Sequence, residues 1–415
     1  MDSSNPQLEF EKPEKHSPSP HINNYKAADR TLYVTFAIGD VVLPARKLQK
    51  KGVEIQWLNL GDPDKFDFDT PDHIKKACKK AIDEYNGYGS SEGLFELRKA
   101  IADREKNKNN ISISPEDVIV TNGTSESILI MYGAILNPGD EILIPDPAYP
   151  PYISLARFFN AIPVPYKTVE EENWEPDIDD IESKITQNTK AMLMINPNNP
   201  TGAVYRRSLL EAMGNLAAEH NIIVLSDEIY DTMTFEDHYS PSFIKDLPVI
   251  ITNGISKAYL ATGWRIGWTI FKDYNDALAT IKEACLKQVR LRISANTVMQ
   301  KASVAALNGP QDHIETVREN LWERRDYIYK RLNEIEGIST QKPAGAFYIF
   351  PKIENEEDDK KFVLDVLDKA HVLFVHGSGF GAAGKGHFRS IFLPPVKQLE
   401  KAMDALQDYM RSRAP

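Results

Sequence analysis

Lys257 stands in the run Ser256-Lys257-Ala-Tyr-Leu-Ala-Thr-Gly263-Trp-Arg265, just past an apolar segment, Val249 to Thr252, that reads as a buried strand. An unpaired ammonium is costly to bury. Conversion of the amine to a Schiff base removes that cost and makes the lysine a nucleophile and proton carrier. A surface lysine in a loop is the competing reading, and on this segment alone the two are about even.

Thirty residues earlier, Asp227-Glu-Ile-Tyr230 follows the apolar run Ile222 to Leu225. A carboxylate there can keep a heteroaromatic nitrogen protonated, and a phenol three residues on can reach an adjacent ring oxygen. Capping of the next turn is the plainer alternative. Asn199, in Asn196-Pro-Asn-Asn199-Pro-Thr-Gly202, sits in dense turn chemistry yet offers a neutral amide to a phenolate-like oxygen. Thr121-Asn-Gly123-Thr124-Ser125 joins a strand to a helix whose unpaired N–H groups and two hydroxyls suit a phosphate, although capping also explains either hydroxyl. Arg265 supplies a fixed cationic fork for such a group. Tyr149, in Pro147-Ala-Tyr149-Pro-Pro-Tyr152, can stack on a planar ring or pack in the core. Arg389, in the apolar context His387-Phe-Arg389-Ser-Ile-Phe, needs a partner, either a substrate carboxylate or an internal Asp or Glu. The histidines show no metal-ligand spacing, His376 beside Gly377-Ser-Gly379 included, so no metal is expected.

These residues need a scaffold. Val118 to Val120, Glu141 to Ile144, Ala191 to Ile195, Ile222 to Leu225, Val249 to Thr252 and Ile266 to Ile270 read as short strands. Several alternate with helical patterns at Tyr152 to Phe159 and Leu209 to His220, which indicates α/β layering around a largely parallel sheet. Chemistry in such sheets collects at the carboxyl ends of strands. Before this unit, short helices are expected over Ala45 to Lys51 and Pro71 to Tyr85, the second capped by Thr70, with a strand over Ile55 to Leu60 between them. After it come a long helix from Asp312 to Glu336, a strand from Ala346 to Phe350, a helix from Lys361 to Ala370, a strand from Val372 to Val375 and a closing helix from Val396 to Met410. The expected division is a large domain over 61–305, a smaller α+β domain made of 21–60 with 306–415, and a loose polar tail over 1–20. The acidic loop 353–360 reads as a solvated connection.

The chain of 415 residues carries 49 Lys and Arg against 60 Asp and Glu, a net charge of -11 that opposes nonspecific binding to nucleic acid or anionic membrane. An anionic ligand must therefore be gripped by a few local cations. The start lacks an apolar h-region or a spanning segment, and two distant cysteines, Cys78 and Cys285, read as thiols in a reducing cytoplasm.

As an ordered set, these segments resemble the class I/II aminotransferases, fold-type I pyridoxal phosphate enzymes with a three-layer α/β large domain, from about Ala27 onward. The archaeal and bacterial alanine aminotransferases are the most similar, through Asp40-Val-Val-Leu-Pro-Ala-Arg46, Leu58-Asn-Leu-Gly61-Asp-Pro63, Asn196 to Gly202, Gly345-Ala-Phe-Tyr348 and Val375-His-Gly-Ser-Gly-Phe-Gly381. The resemblance implies that Lys257 binds pyridoxal phosphate as an imine, Asp227 pairs with the ring nitrogen, and Tyr230 and Asn199 bind the 3-oxygen. It assigns Thr124, Ser125, Ser256 and Arg265 to the phosphate and Tyr149 to ring stacking. Arg389, Asn199 and the Gly61 backbone take the substrate carboxylate. Tyr88, in Tyr88-Gly-Ser-Ser-Glu-Gly93, matches a tyrosine that reaches the neighbouring subunit's phosphate, which implies a homodimer with shared sites. Gly254 replaces a serine frequent in relatives, and Gly39 stands where close relatives carry an arginine, which leaves the distal carboxylate of glutamate without an assigned cation. The implied activity is alanine:2-oxoglutarate amino transfer. Aspartate or broad-specificity transfer, a carbon–sulfur beta-lyase, and a non-catalytic regulatory or scaffold protein are the alternatives.

Overall fold

The computed structural model describes residues 25–34 and 37–413; the expected tail over 1–20 and Phe36 lie outside them. The sheet that carries the site has eight strands: β2 (Val118–Thr121), β3 (Glu141–Asp146), β4 (Ile162–Val169), β5 (Glu175–Pro176), β6 (Thr189–Ile195), β7 (Ile223–Asp227), β8 (Val249–Gly254) and β9 (Gly267–Lys272), where β1 (Gln56–Trp57) belongs to a separate pair. Their order is β2-β9-β8-β7-β6-β3-β4-β5. The pairs β3/β4, β3/β6, β6/β7 and β7/β8 are parallel, while β9 is antiparallel to both β2 and β8. The strands β2 and β8 are buried at every residue, as expected for a sheet covered on both faces.

This direction rule places the chemistry. The carboxyl ends of β2, β3, β6, β7 and β8 lie at one edge, and antiparallel β9 begins there, so Arg265 arrives at the same edge from the other side of a hairpin. Helix α4 (Thr124–Ile135) leaves β2, and α5 (Pro150–Phe158) leaves β3.

Several expected elements move. The first expected helix, over Ala45 to Lys51, begins earlier, as α1 (Ala37–Gln49), because Ala37, Ile38, Val41 and Ala45 form a buried stripe that continues through Pro44. Thr70 does not cap α2 (Asp72–Glu84); its hydroxyl donates to the Leu260 carbonyl at 2.6 Å, satisfying a buried acceptor in the lysine loop. The strand expected over Ile55 to Leu60 shrinks to β1, which pairs in parallel with Val372–Leu373. The strand expected over Ala346 to Phe350 shrinks to Tyr348–Ile349, since Ala346 has φ +56, outside the strand region. Among the described residues no helix is long and apolar enough to cross a membrane.

Candidate active site

Gly123, at φ +77 and ψ 167, turns the chain from β2 into α4, a conformation that glycine alone adopts cheaply. A Cβ there would fall on the Arg265 guanidinium, and one on Gly267 would meet the Thr124 nitrogen at 2.7 Å. Backbone, helix N-terminus and arginine are thus pressed together with no room for another side chain. Gly123 is the N-cap and no side chain caps the helix, so the expected capping role of Thr124 or Ser125 is not taken. Neither hydroxyl is hydrogen-bonded to the described residues. Gly123→Ala is expected to weaken retention of an anion at this turn about tenfold or more, from roughly 1–3 kcal/mol of backbone strain. Equilibrium dialysis of inorganic phosphate against wild-type and variant protein measures it.

Beside this turn opens a cavity of about 170 Å³ lined by Lys257, Asp227, Tyr230, Tyr149, Asn199, Gly61, Thr124, Ser125, Ser256, Arg265 and Arg389. Lys257 Nζ donates to the Gly61 carbonyl at 2.7 Å. Burial lowers its ammonium to about 8. Gly61 therefore contributes a carbonyl to the lysine, and a Cβ on it would overlap the Tyr348 hydroxyl.

Asp227 ends β7. Its carboxylate accepts from the Tyr152 hydroxyl at 2.7 Å and from the Ile229 N–H at 3.2 Å, so it does cap the following turn as well as face the cavity. No cation pairs with it among the described residues, and burial raises it to about 6. The Tyr230 hydroxyl meets that of Tyr348 at 2.9 Å, and burial pushes the Tyr230 phenol well above its ordinary value, so it stays protonated.

Arg389 is 1% exposed and finds no internal Asp or Glu among the described residues. Its Nη1 donates to Asn199 Oδ1 at 2.9 Å and its Nη2 to the Asn59 carbonyl at 2.6 Å, while Nε is buried without a partner. Its guanidinium lies 4.4 Å from the Tyr348 ring centre and 4.8 Å from that of Phe380. Asn199 is thereby oriented with its oxygen on Arg389, which leaves its amide nitrogen to donate elsewhere. Tyr149 packs edge-on against Tyr152, ring centres 6.4 Å apart.

Tyr88 is the exception. It is 74% exposed and does not line this cavity. Ile38, Leu60, Tyr152, Thr262 and Tyr348 belong to the site or touch its residues and were not singled out from sequence. For Tyr152 a signal existed, since it follows Tyr149 by one helical turn. Gly254 is explained: a Cβ there would meet the Ile266 carbonyl at 2.8 Å and Gly267 Cα at 3.0 Å.

The family model described as aminotransferase class I and II matches residues 54–406. The glutamate-pyruvate aminotransferase AlaA of Haemophilus influenzae is 37% identical over 396 residues, covering 93% of this chain and 98% of that protein. An aspartate aminotransferase of Pyrococcus abyssi is 37% identical over 366 residues, covering 86% of this chain and 92% of that protein. The solved alanine aminotransferase of Pyrococcus furiosus superposes with a TM-score of 0.92 at 56% identity, over 94% of this chain and 100% of that one.

Proposed function

Because the chain belongs to the class I and II aminotransferases, enzymes that work with pyridoxal phosphate, we propose that it moves the amino group of L-alanine to 2-oxoglutarate, giving pyruvate and L-glutamate. The observation that carries the reading is Arg389, a buried guanidinium with only neutral partners and an unpartnered Nε, lining the same cavity as Lys257. A substrate carboxylate supplies the missing charge.

The residues fit the cofactor. Asp227 is a buried carboxylate in want of a cation, which a protonated ring nitrogen provides. The close-packed turn at Gly123 with Arg265 suits a phosphate, helped by Thr124, Ser125 and Ser256. When bound, pyridoxal phosphate supplies a sink for the electron pair left as the substrate Cα–H bond breaks. Lys257 would anchor the cofactor through Nζ, and as a free amine it would take the α-proton. The Tyr230 hydroxyl and the Asn199 amide would donate to the ring's 3-oxygen, Tyr149 would stack on the ring, and Arg389 would orient the substrate. Lys257, Arg265 and Arg389 are the lining cations among the described residues, each already assigned. With Ile38 and Leu60 beside them, the cavity suits the small neutral side chain of alanine, while among the described residues no lining cation is left over for the distal carboxylate of 2-oxoglutarate.

A homodimer belongs to this proposal, with Tyr88 reaching its partner's phosphate. Leu291 is 87% exposed, and Ile293 is exposed at φ +76, a strained setting for a β-branched residue. Arg292 between them donates to the carbonyls of Ser91 and Val120, which brings this apolar stretch to the Tyr88 loop. The division into a large domain over 61–305 and a small one of 21–60 with 306–415 is likewise proposed, supported by the pairing of β1 with Val372–Leu373. Cytoplasmic residence is proposed on the two free thiols, Cys78 and Cys285.

Purified protein given L-alanine and 2-oxoglutarate is expected to form pyruvate and glutamate in equal amounts. Rapid turnover of aspartate with none of alanine would overturn the donor, and pyruvate with ammonia from cystine would point to the lyase. Absence of transfer from every amino acid would leave the scaffold reading.

A further inference from the structure

We infer that Arg104 and Asp231 are positioning residues, the centre of a buried ion cluster behind the cavity that holds Asp227 and Tyr230 in fixed relation to Lys257. The inference rests on the cofactor roles proposed above for those three residues.

Beyond Asp227 the chain presents alternate faces. Asp227, Ile229 and Tyr230 line the cavity, whereas Glu228 and Asp231 turn away from it, with Asp231 packed against helix α3 (Phe95–Asn109). The Asp231 side chain is fully buried and accepts from Arg104 Nη2 at 2.6 Å. Lys108 Nζ pairs with the same carboxylate and also donates to the Asp231 carbonyl at 2.9 Å. Arg104 Nη1 reaches Glu105 Oε1 at 2.6 Å, and Asn109 donates to the other Glu105 oxygen at 2.5 Å. Burial raises the Tyr259 phenol, two residues past Lys257, and the nearby charge of the same guanidinium opposes that rise.

The charges balance within the cluster. Arg104 and Lys108 offset Glu105 and Asp231. Glu228 takes the hydroxyls of Ser226 and Ser240 at 2.8 and 2.6 Å, and burial beside Glu105 and Asp231 raises it, so it keeps its proton at neutral pH. His238, which faces Asp231 and Lys108 with Nε2 3.0 Å from the Asn196 carbonyl, is held neutral by its burial.

A buried ion cluster adds little net stability over apolar packing, so stability is a weak reason for one here. What a planar guanidinium does offer is fixed direction toward several partners at once. Arg104 lies near enough to Tyr259, at the end of the Lys257 turn, for its charge to act on that phenol, and it meets Asp231 at the end of the Asp227–Tyr230 turn. That turn is closed on itself by Asp231 N–H to the Glu228 carbonyl at 3.0 Å and Met233 N–H to the Tyr230 carbonyl at 2.8 Å, so a shift at Asp231 is passed to Tyr230 rather than absorbed. Displacements near 1 Å cost about a hundredfold in rate when reacting groups must align.

The test compares wild type with Asp231→Asn, Arg104→Lys and Tyr259→Phe. In each holoenzyme the visible absorbance of the bound cofactor is titrated against pH, and the half-reaction with L-alanine is followed by stopped flow. In each cofactor-free protein, amide hydrogen exchange is measured over 227–231 and 255–259. The expected result is a displaced pH midpoint, a half-reaction slowed about tenfold or more with KM for alanine within threefold, and faster exchange in both turns for Asp231→Asn and Arg104→Lys, with Tyr259→Phe affecting the lysine turn alone. Should Asp231→Asn fail to accumulate as folded protein, Arg104→Lys, which keeps the charge, carries the same readings. A lowered unfolding midpoint with unchanged titration, rate and exchange would overturn the inference. Failure of wild-type transamination would instead strike the proposed function, while the exchange comparison stays readable.

Discussion

Replacement of Lys257 by alanine is expected to lower alanine-dependent amino transfer about 10⁴-fold, since it removes both the covalent anchor and the base at the α-carbon. The visible absorbance of the bound cofactor should be lost in the same variant. Addition of a small alkylamine would restore part of the rate if the missing group acts as a base. The environment of Lys257 adds a pH signature. Its folded value of about 8 lies below the ordinary 10.5, because the buried cavity disfavours the ammonium. At pH 7 roughly a tenth of the amine is therefore free, against a few parts in ten thousand for an ordinary lysine. Capture of pyridoxal phosphate by cofactor-free protein should rise about tenfold per pH unit below about 8 and level off above it. A capture rate still climbing steeply at pH 10 would contradict this picture of the pocket.

Asp227→Asn should lower kcat by about two to three and a half decades with KM for alanine little changed. Breaking a buried ion pair by removing one partner costs about 3–5 kcal/mol, and each decade corresponds to about 1.36 kcal/mol. Asparagine can keep its one oxygen on the Ile229 N–H and turn its amide N–H toward the Tyr152 hydroxyl, which then accepts, so the local fold is retained. The cofactor-free protein should respond in the opposite direction. Asp227 is raised from 3.8 to about 6 in the folded chain, so between those values the folded state binds more protons than the unfolded one, and the cost of the buried carboxylate is complete above about 6. At pH 8 the empty variant should therefore unfold at the same temperature as wild type or higher. A kcat within tenfold of wild type would remove Asp227 from the proposed mechanism.

The α/β rhythm and the residues at strand ends were legible because strands buried on both faces leave unbroken apolar runs, and the polar residues that interrupt them stand out. Helix α3 was not legible for the opposite reason. Its buried side includes Arg98 and Glu105, with Arg104 nearly as enclosed, and a reading by hydrophobic pattern counts such residues as solvent-facing. Strand β4 was hidden by Pro163 and Pro165, which it tolerates because β5 pairs with it only at Thr168 and Val169, leaving one edge open along the prolines. For the site, residue types chose the cavity, but hydrogen-bond partners did not follow from them. Nothing in the sequence said that Asn199 points its oxygen at Arg389, or that the Tyr152 hydroxyl meets Asp227. Those choices depend on side chains that meet across more than seventy positions of chain.

The antiparallel course of β9 has a bearing on how this chain tolerates change in length. Lys257 and Arg265 sit on one hairpin connection between β8 and β9, so the number of residues there sets the reach between the proposed covalent tether and the proposed phosphate clasp. A single inserted residue would put the two anchors out of step while leaving both present in the sequence. The same insertion within residues 355–358 of the acidic stretch would be taken up by largely solvent-facing chain, although Ile353 and Asp359 on either side are buried, so the solvated connection expected over 353–360 is shorter than that. Spacing in the one loop is thus a heritable dimension of the enzyme, as much as the identity of either residue.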